Sequence, residues 1–230
     1  MLASPRLEEL VPGIWTVAAP LKLAGVDFGT RMTVVRVADD GLILISPCAI
    51  DDALATEIDA QGSVRALVAP NAFHHLYFSD ATRRYPDAER HLADGVAKKL
   101  GSAFSGAATL SAEAPPLWKA ELEQCRIEGA PAANEVIFFH GASRTLILTD
   151  LCFNFNPGPS GLSGVVVRLM GAHGRLAVSR LMRFFLKDRE KVRLAIKRIL
   201  EWDFERIIVT HGAIVERDGQ RLLREATADL

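Results

Sequence analysis

The stretch RTLILTD, residues 144–150, predicts a buried strand that carries a carboxylate, Asp150, at its end. Two further apolar stretches share this design and end in histidines: ALVAPNAFHH (residues 66–75, with His74 and His75) and IIVTHG (residues 207–212, with His211). Layered α/β folds tend to place functional side chains at strand ends, because the loops there converge above a rigid sheet. Imidazole and carboxylate groups together suit Zn, Fe or Mn. These four side chains are therefore candidate metal ligands.

The segments around these strand ends have regular periodicity. Alternating and β-branched residues predict β-hairpins over residues 32–45 and 135–148. Apolar residues at helical spacing predict helices over residues 50–60 and 188–202. Strands and helices thus alternate along the chain, which indicates a layered fold of mixed class.

Composition and charge set limits on the kind of protein. A chain of 230 residues with 49% hydrophobic and 24% charged residues is globular, which excludes a disordered, collagenous or coiled-coil chain. No linker divides it, so we predict one domain over residues 1–230. Its net charge of −1 provides no global field that would attract nucleic acid or an anionic membrane, although a local patch is still allowed.

The cysteines and the apolar segments indicate the cellular compartment of the protein. The longest apolar run, residues 146–155, is interrupted by Asp150 and Asn154 and is too short to span a membrane. Residues 1–9 lack the apolar region of a signal peptide. The cysteines match no metal-finger spacing and suit a reducing compartment: Cys48, Cys125 and Cys152. We expect a cytoplasmic protein with no nucleic-acid or membrane partner, which binds a small molecule or pairs with a second copy.

Five stretches, in this order along the chain, resemble the metallo-β-lactamase fold superfamily: PGIWTV (12–17), MTVVRVADDGLILIS (32–46), VRALVAPNAFHHLYFSD (64–80), RTLILTD (144–150) and IIVTHG (207–212). The third lies where the superfamily carries its T-H-x-H-x-D-H motif. The last two resemble the strands that end in the metal-bridging Asp and in the last His ligand, while Ser46 stands where an Asp commonly sits.

The resemblance implies a fold of the α/β (α+β) class, a four-layer αββα sandwich in which two sheets pack face to face with helices outside. It places the two predicted hairpins in different sheets. It also brings Asp150 and His211 close together at one edge, although their strands are far apart in sequence.

The histidine motif is incomplete in this chain. When Pro70 is aligned with the motif's Thr, Asn71 and Phe73 replace its first two His residues and His75 stands at its Asp. A shift by one residue instead places His74 and His75 at the motif's Asp-His pair. In both registers the leading His pair is missing.

The rest of the ligand set is also reduced. Working members of the superfamily hold two metals with about five or six His and Asp ligands. The middle His of that set falls near Ala130, which cannot bind a metal. We therefore expect Asp150, His211 and one or both of His74 and His75 to remain, with no two-metal centre.

Two functions are compatible with these residues. In the first, two-metal hydrolysis is lost and the cleft binds a small molecule or a partner; Phe73 in place of a ligand favours it. In the second, a single divalent ion (Zn, Fe or Mn) on His74 or His75, Asp150 and His211 hydrolyses a small ester, thioester or phosphoester. Asp150 and His75 are then the expected catalytic residues. The side chains expected to contact a bound molecule are Asn71, Phe73 and Phe184.

Residues 157–186 form a segment between the strand ends of Asp150 and His211. Prolines and glycines punctuate its beginning, which suits an insertion that covers the site. Ordinary core packing is an alternative for its apolar residues. A third interpretation is an exposed patch that pairs two chains, with Arg180 and Arg183 as its polar rim.

Overall fold

The computed structural model describes residues 5–230, so the expectation drawn from residues 1–9 falls partly outside this range. The strands are β1 Glu8–Val11, β2 Ile14–Ala19, β3 Lys22–Leu23, β4 Val26–Asp27, β5 Thr30–Val37, β6 Gly41–Ile45, β7 Ser63–Ala69, β8 Glu89–Leu92, β9 Ala108–Thr109, β10 Leu122–Arg126, β11 Val136–His140, β12 Thr145–Leu148, β13 Phe153–Asn154, β14 Leu176–Ala177 and β15 Arg206–Val209. The helices are α1 Asp52–Asp59, α2 Phe78–Arg84, α3 Val96–Leu100, α4 Gly161–Leu169, α5 Arg180–Phe185, α6 Arg189–Ile199 and α7 Gly219–Thr227.

Two mixed sheets form the centre of the molecule. The larger has seven strands in the order β1-β2-β5-β6-β7-β8-β9, antiparallel as far as β6 and parallel from β6 to β9. The smaller has the order β10-β11-β12-β15, and only its β12–β15 pair is parallel. The hairpins at residues 32–45 and 135–148 lie in different sheets, as predicted.

The packing of side chains defines four layers. One buried cluster fills the space between the sheets and joins Val35, Ile43 and Val68 of the larger sheet to Phe138, Ile147 and Ile208 of the smaller. The outer face of the larger sheet packs against α1, α2 and α3, and that of the smaller sheet against α5, α6 and α7. The predicted αββα sandwich is confirmed. Among the described residues, no helix is both long and apolar enough to cross a bilayer.

The helices predicted over residues 50–60 and 188–202 correspond to α1 and α6, and each begins directly after an aspartate that caps it. Asp51 and Asp188 lie immediately before α1 and α6, and their side chains accept hydrogen bonds from backbone N–H groups of the first turns. Several elements were not predicted, among them strand β10 and helix α7. Strand β10 lies at the edge of the smaller sheet and carries Glu123, Gln124 and Arg126 without regular alternation. Helix α7 packs its buried side, including Leu223, onto the core of the smaller sheet.

Some side chains of residues 157–186 pack in the hydrophobic core, and others cover the site. Val167 of α4, Met182 of α5 and Val178, which lies between β14 and α5, are buried at 4% exposure or less. Leu181 and Phe185, also on α5, instead face a cavity beside Asp150. The segment therefore combines the core packing and the covering element that the sequence left as alternatives.

Candidate functional site

Four strand ends converge at one edge of the sandwich, two from each sheet. Strands β12 and β15 run parallel with Leu148 beside Val209, so Asp150 and His211 both lie two residues beyond this pair. Strands β6 and β7 are parallel as well, and they lead into Ser46 and into the turn that carries His74. Parallel strands deliver their carboxyl ends to the same edge, which is why residues so distant in sequence meet here.

Asp150 lies between two imidazole rings. His74 Nε2 is 3.1 Å from Asp150 Oδ2, and His211 Nε2 is 3.4 Å from Asp150 Oδ1. One ligand atom from each of the three residues lies within 4.8 Å of the others. The predicted proximity of Asp150 and His211 is confirmed. Of the two adjacent histidines that the sequence could not separate, it is His74 that joins this group, and His75 lies outside it.

Hydrogen bonds on the far side of each ring fix the orientation of the histidines. His211 Nδ1 is 2.8 Å from the carbonyl oxygen of Gly29, which can only accept, so Nδ1 carries the proton. When the ring is neutral, its Nε2 lone pair faces Asp150 Oδ1. Phe153 stacks on the His211 ring at 5.2 Å. His74 Nδ1 is hydrogen bonded to Ser46 Oγ at 2.6 Å. Such outer contacts are typical of imidazoles that present the other nitrogen to a metal.

Asn71 connects the two strand ends that carry His74 and Asp150. Its Nδ2 donates to Asp150 Oδ2 at 2.7 Å and to Thr149 Oγ1 at 2.8 Å. Its Oδ1 accepts the backbone N–H groups of Phe73 and His74. The side chain is fully buried, at 0% exposure, so it does not line the cavity. The expectation that Asn71 contacts a ligand is therefore replaced by a positioning role.

Burial and the neighbouring imidazole rings shift the pKa of Asp150 in opposite directions. Burial alone would raise the pKa of this carboxyl, but the charges and hydrogen bonds of His74 and His211 outweigh it and hold the pKa well below its ordinary value. Asp150 is thus the anionic member of the group.

Glu135 supports the turn that carries Asp150. It is 1% exposed, and its carboxylate accepts the backbone N–H groups of Thr149, Asp150 and Leu151 at 2.8, 3.1 and 2.8 Å. Burial, with Asp150 nearby, raises the pKa of Glu135 to about 7. Sequence reasoning missed this residue, although an acid just before an apolar strand is an unusual choice that marks it.

A largely apolar cavity of about 390 Å³ opens above this group. Leu23, Phe28, Phe73 and Phe185 contribute apolar walls, and the polar lining includes Asp150, His74 and His211. Phe73, which was expected to contact a bound molecule, lines this cavity. Phe184 does not: its neighbour Phe185 takes that place, and Phe184 is 69% exposed on the outer side of α5.

His75 also lines the cavity, although it is not part of the cluster of His74, Asp150 and His211. Its Nδ1 is buried without a hydrogen-bond partner among the described residues. Burial, followed by the charge of Lys99, lowers the pKa of His75, so the ring is neutral near pH 7 and can accept a proton.

Comparisons with known proteins agree with this architecture. The metallo-β-lactamase from Pontibacter korlensis shares 14% identity over 99% of this chain and 100% of its own, with a TM-score of 0.66. The DIM-1 metallo-β-lactamase exposed to ceftazidime shares 13% identity over 99% and 98%, with a TM-score of 0.68. FIM-1 from Pseudomonas aeruginosa, in its mono-zinc form, shares 13% over 98% and 96%, with a TM-score of 0.63.

The chain therefore has the same fold as these metallo-β-lactamases, as the sequence predicted. Residues 12–170 match the DUF4336 family, described as a domain of unknown function, and the chain belongs to that family. No curated protein matches the chain.

Proposed function

We propose that the protein holds a single divalent metal ion on His74, Asp150 and His211, and that this centre hydrolyses a small ester or thioester whose apolar part fills the cavity above it. The observation that carries the proposal is the convergence of the three ligand atoms within 4.8 Å at the floor of an apolar cavity. Two imidazoles and one carboxylate on one side of a cavity are a common donor set for catalytic metals.

The donor distances support the fit. Ligand atoms at about 2.1 Å from a tetrahedral zinc ion lie roughly 3.4 Å from one another. The two separations from the Asp150 carboxylate, 3.1 Å to His74 Nε2 and 3.4 Å to His211 Nε2, are close to this value. Because the His211 Nδ1 proton is committed to Gly29, Nε2 is free to act as a donor atom.

The surroundings of Asp150 favour one ion over two. In a two-metal site, the corresponding carboxylate bridges both ions. Here Asp150 Oδ2 already accepts a hydrogen bond from Asn71 at 2.7 Å, which uses part of the capacity of this oxygen to bind a further ion. Ala130 is 2% exposed and supplies no donor atom near the place of the missing middle His. The Asn71 amide thus satisfies by a hydrogen bond an oxygen that a second cation would otherwise have to bind.

The residues around the centre supply the remaining functions. When bound, a divalent ion would act as a Lewis acid that polarises a carbonyl oxygen. His75 is neutral near pH 7 and lines the cavity, so it is placed to accept or return a proton. Phe73 and Phe185, with ring centroids 5.6 Å apart, form an apolar wall that excludes water and holds an acyl group.

A second function, ligand binding without metal, is favoured by one observation. The polar atoms of the group already satisfy one another, since His74 and Asn71 both contact Asp150 Oδ2 and a protonated His211 can donate to Oδ1. A buried network of this kind is stable without an ion. A measurement of metal binding therefore distinguishes between the two proposed functions.

Thermal unfolding with Zn²⁺, Mn²⁺ or Fe²⁺ tests the proposal. We expect one of these ions to raise the melting temperature of the metal-free protein and to support hydrolysis of p-nitrophenyl esters or acyl thioesters. His211→Ala should abolish both effects, while His173→Ala, a half-buried histidine outside the group, should retain them. A melting temperature unchanged by every ion would exclude the metal centre and leave ligand binding as the function.

A further inference from the structure

The exposed apolar side chains are concentrated on one side of the molecule. Nine large hydrophobic residues are exposed in the described part of the chain, and eight of them lie on four neighbouring segments beside the cavity. We refer to these eight as the apolar rim: Leu23, Phe73, Leu76, Leu162, Val165, Leu169, Leu181 and Phe184. Only the ninth, Leu194, lies elsewhere, on α6. Apolar surface that is this concentrated marks an interaction site.

The segments of the apolar rim contact one another. Leu23, Phe73, Leu76 and Leu181 line the cavity itself, so they surround its mouth. Helix α4 packs beside strand β4 of the same hairpin as Leu23, and the backbone N–H of Asp27 in that strand donates to Ser163 of the helix. On α4 the exposed apolar residues follow helical spacing and form one outward face: Leu162, Val165 and Leu169, at 65%, 51% and 64% exposure.

The same region carries an excess of positive charge. Residues 151–187 contain no Asp or Glu, yet they include Arg168, Arg175, Arg180, Arg183 and Lys187. Arg183 is paired with Asp229 at 2.8 Å. Arg168 and Lys187 are exposed and make no salt bridge among the described residues, and Lys187 Nζ lies 4.5 Å from the ring centre of Phe184. Exposed apolar side chains interleaved with basic ones form an interfacial surface.

We infer that the apolar rim docks on the surface of an anionic lipid bilayer, with the mouth of the cavity facing the lipid. The charges argue for this occupant: a second copy of the chain would bring its own basic segment against this one in a two-fold contact, which is repulsive. Nucleic acid would leave the Leu and Phe side chains unmatched. Acyl chains and anionic headgroups complement both features, and they are attracted locally even though the whole chain has a net charge of −1.

This docking depends on the surface and not on the metal centre, so it can succeed or fail independently of the proposed function. It specifies where a ligand of the cavity would come from. An amphiphile with an acyl chain could pass from the bilayer into the apolar cavity without crossing water.

Vesicle flotation tests the inference, with phosphatidylcholine vesicles with or without 30% phosphatidylserine. We expect at least tenfold stronger partitioning onto the anionic vesicles, unchanged by EDTA and weakened by 0.5 M salt. Leu181→Ser/Phe184→Ser, at side chains 56% and 69% exposed, should reduce partitioning at least tenfold. The matched control Leu194→Ser, at 54% exposure on α6, should stay within twofold of the wild type.

A charge variant provides an independent readout. Arg168→Gln/Lys187→Gln should reduce partitioning about 25-fold, since each basic side chain near an anionic surface contributes roughly a factor of five. The control Lys197→Gln/Arg198→Gln removes two exposed charges from α6 and should change little. Wild-type protein that does not partition onto anionic vesicles would overturn the inference, as would equal losses in the controls. A different result would assign the apolar rim to a second copy of the chain. In that case the wild type does not bind vesicles and is a dimer in light scattering, and Leu181→Ser/Phe184→Ser converts it to a monomer.

Discussion

Replacing Asn71 with alanine removes the most connected polar side chain of the site. Asn71 donates to Asp150 and Thr149 and accepts from the backbone N–H groups of Phe73 and His74. Alanine leaves two partly buried N–H groups without an acceptor and the Asp150 carboxylate without one of its donors. Each unsatisfied N–H costs about 1 kcal/mol, and the lost bond to a charged group costs about 2 kcal/mol, so we expect a destabilisation of about 4 kcal/mol.

The assay is urea and thermal unfolding of the metal-free protein, so that metal binding does not contribute. For a chain of this length, 1 kcal/mol corresponds to about 2 °C, which predicts a fall of about 8 °C in melting temperature for Asn71→Ala. The matched control is Asn154→Ala, because Asn154 is also buried (6% exposed) but donates a single side-chain hydrogen bond, to Ala213 at 2.8 Å. Its loss should cost about 1 kcal/mol. If Asn71→Ala is no more destabilising than Asn154→Ala, the positioning role of Asn71 is refuted.

Three other changes have defined outcomes. Glu135→Gln presents an amide NH₂ to backbone donors, so the free energy of unfolding in urea should fall by about 2 kcal/mol; an unchanged value would mean that the turn at Asp150 does not depend on this carboxylate. The three cysteines are buried and burial raises the pKa of Cys48 to about 12, so a disulfide reagent at pH 8 should label them slowly in the native protein and completely in urea; rapid native labelling would contradict this. Phe185→Ala should weaken binding of an apolar fluorescent dye about tenfold with zinc affinity unchanged; a change in zinc affinity alone would show that Phe185 acts on the metal group instead.

Much of the fold could be predicted from the sequence because its strands are apolar and end abruptly in polar residues. The hairpins at residues 32–45 and 135–148 carry this signal locally, and the strand ends at Asp150 and His211 show where chain segments must meet. Strand β10 has a weak local signal, because Glu123 and Gln124 are adjacent and interrupt the alternation of polar and apolar residues. Helix α7 has a clear amphipathic pattern, with Leu223 and Ala226 on its buried side, and its own residues could have predicted it.

The details of the site depend on contacts that no local pattern contains. His74 and His75 are equivalent in the sequence, and only the turn held by Asn71, with Ser46 behind the ring, places His74 beside Asp150. Similarly, Phe184 and Phe185 differ only in the side of α5 on which they fall. Loop and helix orientations of this kind follow from tertiary packing. The sequence therefore predicts which segments form the site better than it predicts the role of each side chain.

The most direct test of a single-metal centre is the metal content of the purified chain after equilibrium dialysis against Zn²⁺ or Mn²⁺, measured by elemental analysis. The ligand group predicts one ion per chain in the wild type and none in His211→Ala, with Asp150→Asn also lacking the ion. Two ions per wild-type chain would contradict the role assigned to Asn71. One ion retained in His211→Ala, or none in the wild type, would contradict the assignment of His74, Asp150 and His211 as the metal ligands.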